Sequence, residues 1–125
     1  MGSGLDSTVN LMKWHKEAEK IIEESGIPYT HIRPNVFMQN FVNFYKEDIV
    51  SRNIIKFPAG NGRVSFVDVR DIAAFIAYVF SIGAHEGKTY TLTGSESLSY
   101  VDVAEMFSIA LKKKVNYIDI SEEDF

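Results

Sequence analysis

From residue 25 to residue 40 the chain reads Ser-Gly-Ile-Pro-Tyr-Thr-His-Ile-Arg-Pro-Asn-Val-Phe-Met-Gln-Asn, and this stretch fixes the order of the elements around it. Gly26 suits the left-handed residue that closes a helix, and Pro28 forbids the helix from continuing. Residues 29–33 then form a short strand: Tyr, Thr and Ile suit the pleat, and Pro34 ends the ladder by removing a donor. A second helix is expected over residues 36–51, unusually aromatic with Phe37, Phe41, Phe44 and Tyr45. Helix, strand and helix joined by tight connections point to an alternating α/β fold.

The rest of the chain keeps that alternation. Upstream, Ser7 or Thr8 can cap a helix running to about residue 25, with Leu11, His15, Ala18 and Ile22 at helical spacing and Trp14 and Ile21 widening the stripe. Glu17, Lys20, Glu23 and Glu24 supply its wet side. Downstream, residues 54–57 and 64–67 read as strands flanking Ala59-Gly60-Asn61-Gly62, which predicts a hairpin or close pair. Asp68 caps the clearest helix, whose buried stripe is Ile72, Phe75, Ile76, Val79 and Phe80. Residues 88–93 form a strand. Ser99 and Asp102 resemble a capping box at the start of a helix with an inner face of Val103, Met106, Phe107, Ala110 and Leu111. A last strand covers residues 115–120, and Ser121 opens what looks like a further helix. Both ends resemble cuts within a larger fold, and Met1-Gly-Ser-Gly reads either as an expression remnant or as native chain starting at an internal methionine.

Composition excludes several functions. The chain is 125 residues long, 46% hydrophobic and 24% charged, which fits one packed domain or a piece of one rather than a disordered segment. Net charge is -4, and the only basic run, Lys112-Lys113-Lys114, closes a predicted helix, where cations suit the dipole. Nucleic acid is therefore not an expected partner. The absence of cysteine removes disulfides, thiolate nucleophiles and cysteine zinc sites, and His15, His31 and His85 lack metal-ligand spacing, so no metal is expected. No apolar run approaches bilayer length and no secretory signal is present, so a cytoplasmic location without membrane contact is expected.

Two polar motifs invite a chemical reading. His15 and Glu19 lie four apart on one helix face and can meet as an acid/base pair. The simpler reading is structural, because His15 falls in the apolar stripe and Glu19 borders it, and it is favoured. Asp68-Val-Arg-Asp71 is polar, but carboxylates at a helix start satisfy free N–H groups and the dipole, so it is read as architecture.

Three blocks, residues 14–19, residues 25–40 and residues 63–73 (Arg-Val-Ser-Phe-Val-Asp-Val-Arg-Asp-Ile-Ala), resemble the NmrA-like proteins, atypical members of the short-chain dehydrogenase/reductase superfamily. The resemblance runs from about Leu5 to Ile120 and keeps the family's order. It implies an α/β fold: the C-terminal part of a Rossmann-like NAD(P)-binding domain plus its small substrate-binding subdomain, without the first βαβ half. The 125 residues would be one truncated α/β unit, with residues 5–53 ending the Rossmann-like core and residues 54–125 forming the substrate side.

Active relatives carry Tyr-x-x-x-Lys on the first helix, a register that here holds His15 and Glu19, the degenerate catalytic positions. A carboxylate cannot replace the lysine cation. The loop after the strand is expected at the nicotinamide end of the site, with Pro34, Asn35, Val36 and Phe37 toward the cofactor and Phe37, Met38 and Gln39 toward substrate. Core packing is an equal alternative for Asn35 and Phe37, and the favoured one for Phe41. The family's phosphate-binding Gly-rich turn has no counterpart: Gly2 and Gly4 follow no strand, and Gly60 and Gly62 precede a strand. NAD(P) is thus expected to bind the full-length parent and not, tightly, this chain alone. The parent is read as a possible NAD(P)H-dependent reductase of small quinone or carbonyl substrates, with the isolated chain inactive. The alternatives are a non-enzymatic redox-sensing or protein-interaction module and a relative of nucleotide-sugar epimerases. Bare apolar surface predicts a homo-oligomer.

Overall fold

The computed structural model describes residues 10–125, and the predicted Ser7 or Thr8 cap and the Gly2 and Gly4 positions lie outside them. The order is α1 (Asn10–Glu24), β1 (Thr30–Pro34), α2 (Asn40–Asn43), a π-helical turn (Asp48–Arg52), β2 (Ile54–Phe57), β3 (Arg63–Val64), α3 (Val69–Ile82), β4 (Lys88–Leu92), β5 (Leu98–Ser99), α4 (Tyr100–Leu111), β6 (Asn116–Asp119) and a 3-10 turn (Glu122–Asp124). The chain divides into two units.

The first unit holds the chain up to Asn35 and Arg70–Leu92. Gly26, at φ 75°, ends α1 as expected, and the Ser25 hydroxyl donates to Ile22 O at 2.7 Å. β1 and β4 pair in parallel, with Ile32 opposite Tyr90. The Tyr90 ring packs edge-on against Phe75 of α3 at 5.2 Å, so Ile32 and Tyr90 face α3. His31 and Arg33 point the other way, to the carboxylates of α1. The two helices therefore cover opposite faces of the ribbon. The last turn of α3 departs from expectation, because Phe80 is 84% exposed while Val79 is buried. On α1 the apolar stripe lies open, with Trp14, Ile21 and Ile22 all exposed, and Glu19 sits on the packed side.

The second unit holds Val36–Val69 and Thr93–Phe125. Its core is aromatic: Phe57 stacks on Tyr100 at 4.5 Å, and Phe41 meets Phe66 edge-on at 5.1 Å, beside the fully buried Ile55. Burial pushes the Tyr100 phenol up to about 12. Ser99 caps α4 as the sequence predicts: its hydroxyl accepts from Asp102 N–H while the Asp102 carboxylate accepts from Ser99 N–H.

Two expectations fail in this unit. The aromatic helix expected over residues 36–51 is reduced to α2 and the π-helical turn, because the backbone of residues 36–38 bonds to Val67 instead. Val67 N–H donates to Val36 O and Met38 N–H donates to Val67 O, both at 2.9 Å. The predicted hairpin is absent as well. The turn at Ala59–Gly62 forms, but β2 pairs in parallel with β6 across α4, and β3 pairs antiparallel with β5. The crossover buries Ile55, Val103 and Val115 together, which a two-stranded hairpin could not do.

Candidate functional site

Helix α1 docks on β1 through matched periodicities. Residues two apart on a strand share a face about 6.6 Å apart, and residues four apart on a helix share one about 6 Å apart. Arg33 and His31 therefore meet Glu19 and Glu23 as two successive rungs. In the first, Arg33 Nε and Nη2 donate to the two carboxylate oxygens of Glu19 at 2.8 and 2.7 Å. Lys16 Nζ stands 3.9 Å from the same carboxylate. In the second, the buried His31 ring stacks on Tyr29, and its Nε2 lies 3.2 Å from Glu23 Oε1, outside hydrogen-bonding geometry.

The electrostatics follow. Hydrogen bonds from Arg33 hold the Glu19 carboxyl below its ordinary value against a smaller opposing effect of burial, helped by the positive charge of Arg33, His31 and Lys16. The same hydrogen bonds raise Arg33. Glu19 thus stays ionised at neutral pH and committed to Arg33. His15, one turn earlier, is exposed.

The loop after β1 is structurally occupied along most of its length. Pro34 closes the pairing opposite Leu92, and Asn35 N–H donates to Leu92 O at 2.8 Å. Both are half-buried. Val36 and Phe37 bridge to Val67. Gln39 Oε1 accepts from the N–H of Val69, the first residue of α3, at 3.1 Å, a helix-capping role that the sequence did not disclose.

Met38 is different. It is 43% exposed and lines a cavity of about 320 Å³ inside the second unit. The buried wall is Phe41, Phe66 and Val103, and Met106, Phe107 and Ala110 of α4 complete the apolar side. Ser95 and Glu96 supply the polar atoms, and Glu96 is the one ionisable residue in the wall. A neighbouring groove of about 530 Å³ shares Glu96, Leu98 and Met106 and adds Arg63, Asp102 and Glu105. There Arg63 Nη2 pairs with Asp102 at 3.0 Å.

The stripe on α4 was legible as apolar, but its period does not tell a face that meets core from one that lines a void. Phe66, Leu98 and Glu96 were not singled out, because nothing local to them announces a cavity built from distant segments. Among the described residues no cluster of His, Asp and Glu could hold a metal ion, and no helix is long and apolar enough to cross a membrane.

Parallel strands joined by helical crossovers, with a loop leading from the carboxyl end of β1, define a Rossmann-like α/β architecture. The profile of the NmrA-like family matches residues 8–125, and the chain belongs to that family. It is 35% identical over 123 residues to an NAD(P)H azoreductase from Xenophilus azovorans, covering 98% of this chain and 43% of that protein. An NADPH-dependent quinone oxidoreductase from Escherichia coli, solved with NADPH, superimposes with a TM-score of 0.85 at 31% identity, over 96% of this chain and 42% of that one. The Citrobacter sp. triphenylmethane reductase, complexed with NADP(H), gives 0.81 at 28% identity, over 95% and 42%. The chain thus spans about two-fifths of the length of the relatives it matches.

Proposed function

We propose that this chain is the substrate-side, C-terminal portion of an NAD(P)H-dependent reductase acting on small quinone or carbonyl compounds, and that alone it neither grips the cofactor nor turns over. The observation that carries this reading is the placement of Met38. Four residues beyond the carboxyl end of β1, where open α/β sheets take their ligands, it stands in the wall of an apolar cavity. The quinone oxidoreductase, by its name, reduces compounds of that kind, and the azoreductase, by its name, reduces another small conjugated group, the azo bond. Pro34, Asn35, Val36 and Phe37 would border the nicotinamide, while Phe37, Met38 and Gln39 would border the substrate.

On this reading the phosphates are held outside the described residues. Of the loops that lead from a strand toward a helix, the one carrying Gly94 is closed against Phe66 O rather than open to a phosphate. The bound nicotinamide would supply the hydride. Glu19 is not a proton donor on this reading, because its carboxyl, held low by Arg33, carries no proton at neutral pH.

The engagement of Glu19 with Arg33 favours a second reading, a module that senses NAD(P) redox state without catalysis, since position 19 offers no cation to a ribose. Fluorescence titration with NADPH tests the primary reading. The expected result is no saturation in the micromolar range and no quinone-dependent NADPH oxidation by this chain. Both activities should appear when the longer reading frame is expressed. Saturable micromolar binding by these 125 residues would overturn the assignment of the phosphate grip to another segment.

A further inference from the structure

The cavity beside Met38 is apolar except at Ser95 and Glu96, and Glu96 carries a formal negative charge. Glu96 belongs to the walls of both the cavity and the adjoining groove, and it has no hydrogen bond or ion pair with any other described residue. The groove holds three carboxylates against one guanidinium. That guanidinium, on Arg63, is spent on Asp102 and on Ser97 O, so it does not neutralise Glu96. Phe41, Phe66 and Phe107 offer flat ring faces and edges, and Met38 and Met106 offer polarisable sulfur that adapts to a ring. An aromatic body suits such walls, and a cationic substituent suits an unpaired carboxylate at their edge.

We infer that this cavity is built for an aromatic cation, a fused or conjugated ring bearing a fixed positive charge, and that Glu96 is its specificity-determining residue. This inference rests on the reading of the Met38 cavity as the substrate side, and it adds a charge preference that the reductase reading does not require. Glu96 is exposed to water, so its contribution is one of discrimination rather than bulk affinity. A charge pair in that setting changes binding by about fivefold. Added salt should shrink the difference.

The test is equilibrium binding of N-methylacridinium and of acridine, which share a ring system but differ in charge at mildly alkaline pH, followed by their fluorescence with this 125-residue chain. The expected result is saturable binding of both, with the cation about fivefold tighter and the gap narrowing as salt rises. Glu96→Gln should equalise the two without abolishing either, and Ala110→Phe, which fills the cavity from an exposed position on α4, should weaken both. Equal affinity in the natural chain, or a preference that survives Glu96→Gln, overturns the charge assignment while leaving the apolar site intact. Failure of either ring to bind, with the far-ultraviolet circular dichroism unchanged, overturns the cavity as a ligand site. Neither failure bears on whether NADPH binds, which the preceding titration decides independently.

Discussion

At position 19 the chemistry turns on which partner a carboxylate takes. Helical spacing offers His15, but the strand offers a planar two-pronged donor at the right height, and Arg33 wins because both of its hydrogen bonds are charge-assisted. The Arg33 side chain is 29% exposed and that of Glu19 only 12%, so removing the carboxylate charge leaves a half-buried guanidinium without its counter-charge, and Glu19→Gln is expected to cost about 1–3 kcal/mol at neutral pH. The folded-state pKa of Glu19 lies below its ordinary value of 4.5, so this stabilisation is complete above that value and fades as pH falls through the lower, folded one. Urea unfolding across an acid series should therefore show a shallower acid limb for the variant than for the natural chain; parallel limbs would sink the assignment. Glu19→Lys should be worse than Glu19→Gln, because it sets two cations face to face. Adding Arg33→Glu should recover part of the loss. Glu19 is thus built into the α1–β1 contact through Arg33.

Among the elements, those with local chemistry were legible and those with distant partners were not. The stop at Gly26, the strand that follows it, the start of α3 after Asp68 and the reciprocal cap of Ser99 and Asp102 are each written within four residues of sequence, and each stands as read. The pairing of β2 with β6 spans 62 positions from Ile54 to Asn116, and no local signal could compete with the Asn-Gly turn that suggested a hairpin. The candidate site divides the same way. Met38 is singled out by its place after a strand and lines the cavity, whereas the cavity itself needs Phe66 and the segment from Ser95 to Leu98 brought to it. Gly94 shows how tightly that segment is held. A Cβ there would sit 1.8 Å from Phe66 O, a backbone atom that cannot swing away, while Gly94 N–H reaches toward Ser65 O. Gly94→Ala should therefore destabilise the chain by about 3 kcal/mol or more and open the cavity wall even where folding survives. Thermal unfolding measures the first effect and loss of acridine binding the second. An alanine variant with natural stability would sink the close approach of Gly94 to Phe66 O.

For the whole molecule, the informative surface is the one left uncovered. α1 turns Lys16, Glu19 and Glu23 toward β1, and it leaves Trp14 66% exposed and Ile21 63% exposed on its outer side, with Ile27 beyond its end equally bare. An amphipathic helix whose polar side is the packed one has its apolar side reserved for something else. β1 pairs only with β4 among the described residues, so its second edge is also open. In a longer chain, further residues of the same polypeptide could cover both features. In a solution of these 125 residues the available cover is a second copy, and we propose that the chain self-associates through the outer face of α1. The sole tryptophan lies on that face, so association should be readable from it directly. Diluting the chain through the micromolar range should move the Trp14 emission to the red as the ring returns to water, in step with a falling sedimentation coefficient. Trp14→Lys with Ile21→Lys should sediment as monomer at every concentration and keep its helical circular dichroism, because neither side chain supports the fold from within. A natural chain that sediments as monomer throughout, with red emission from the start, would show that the stripe tolerates water, and the self-association proposal would fall.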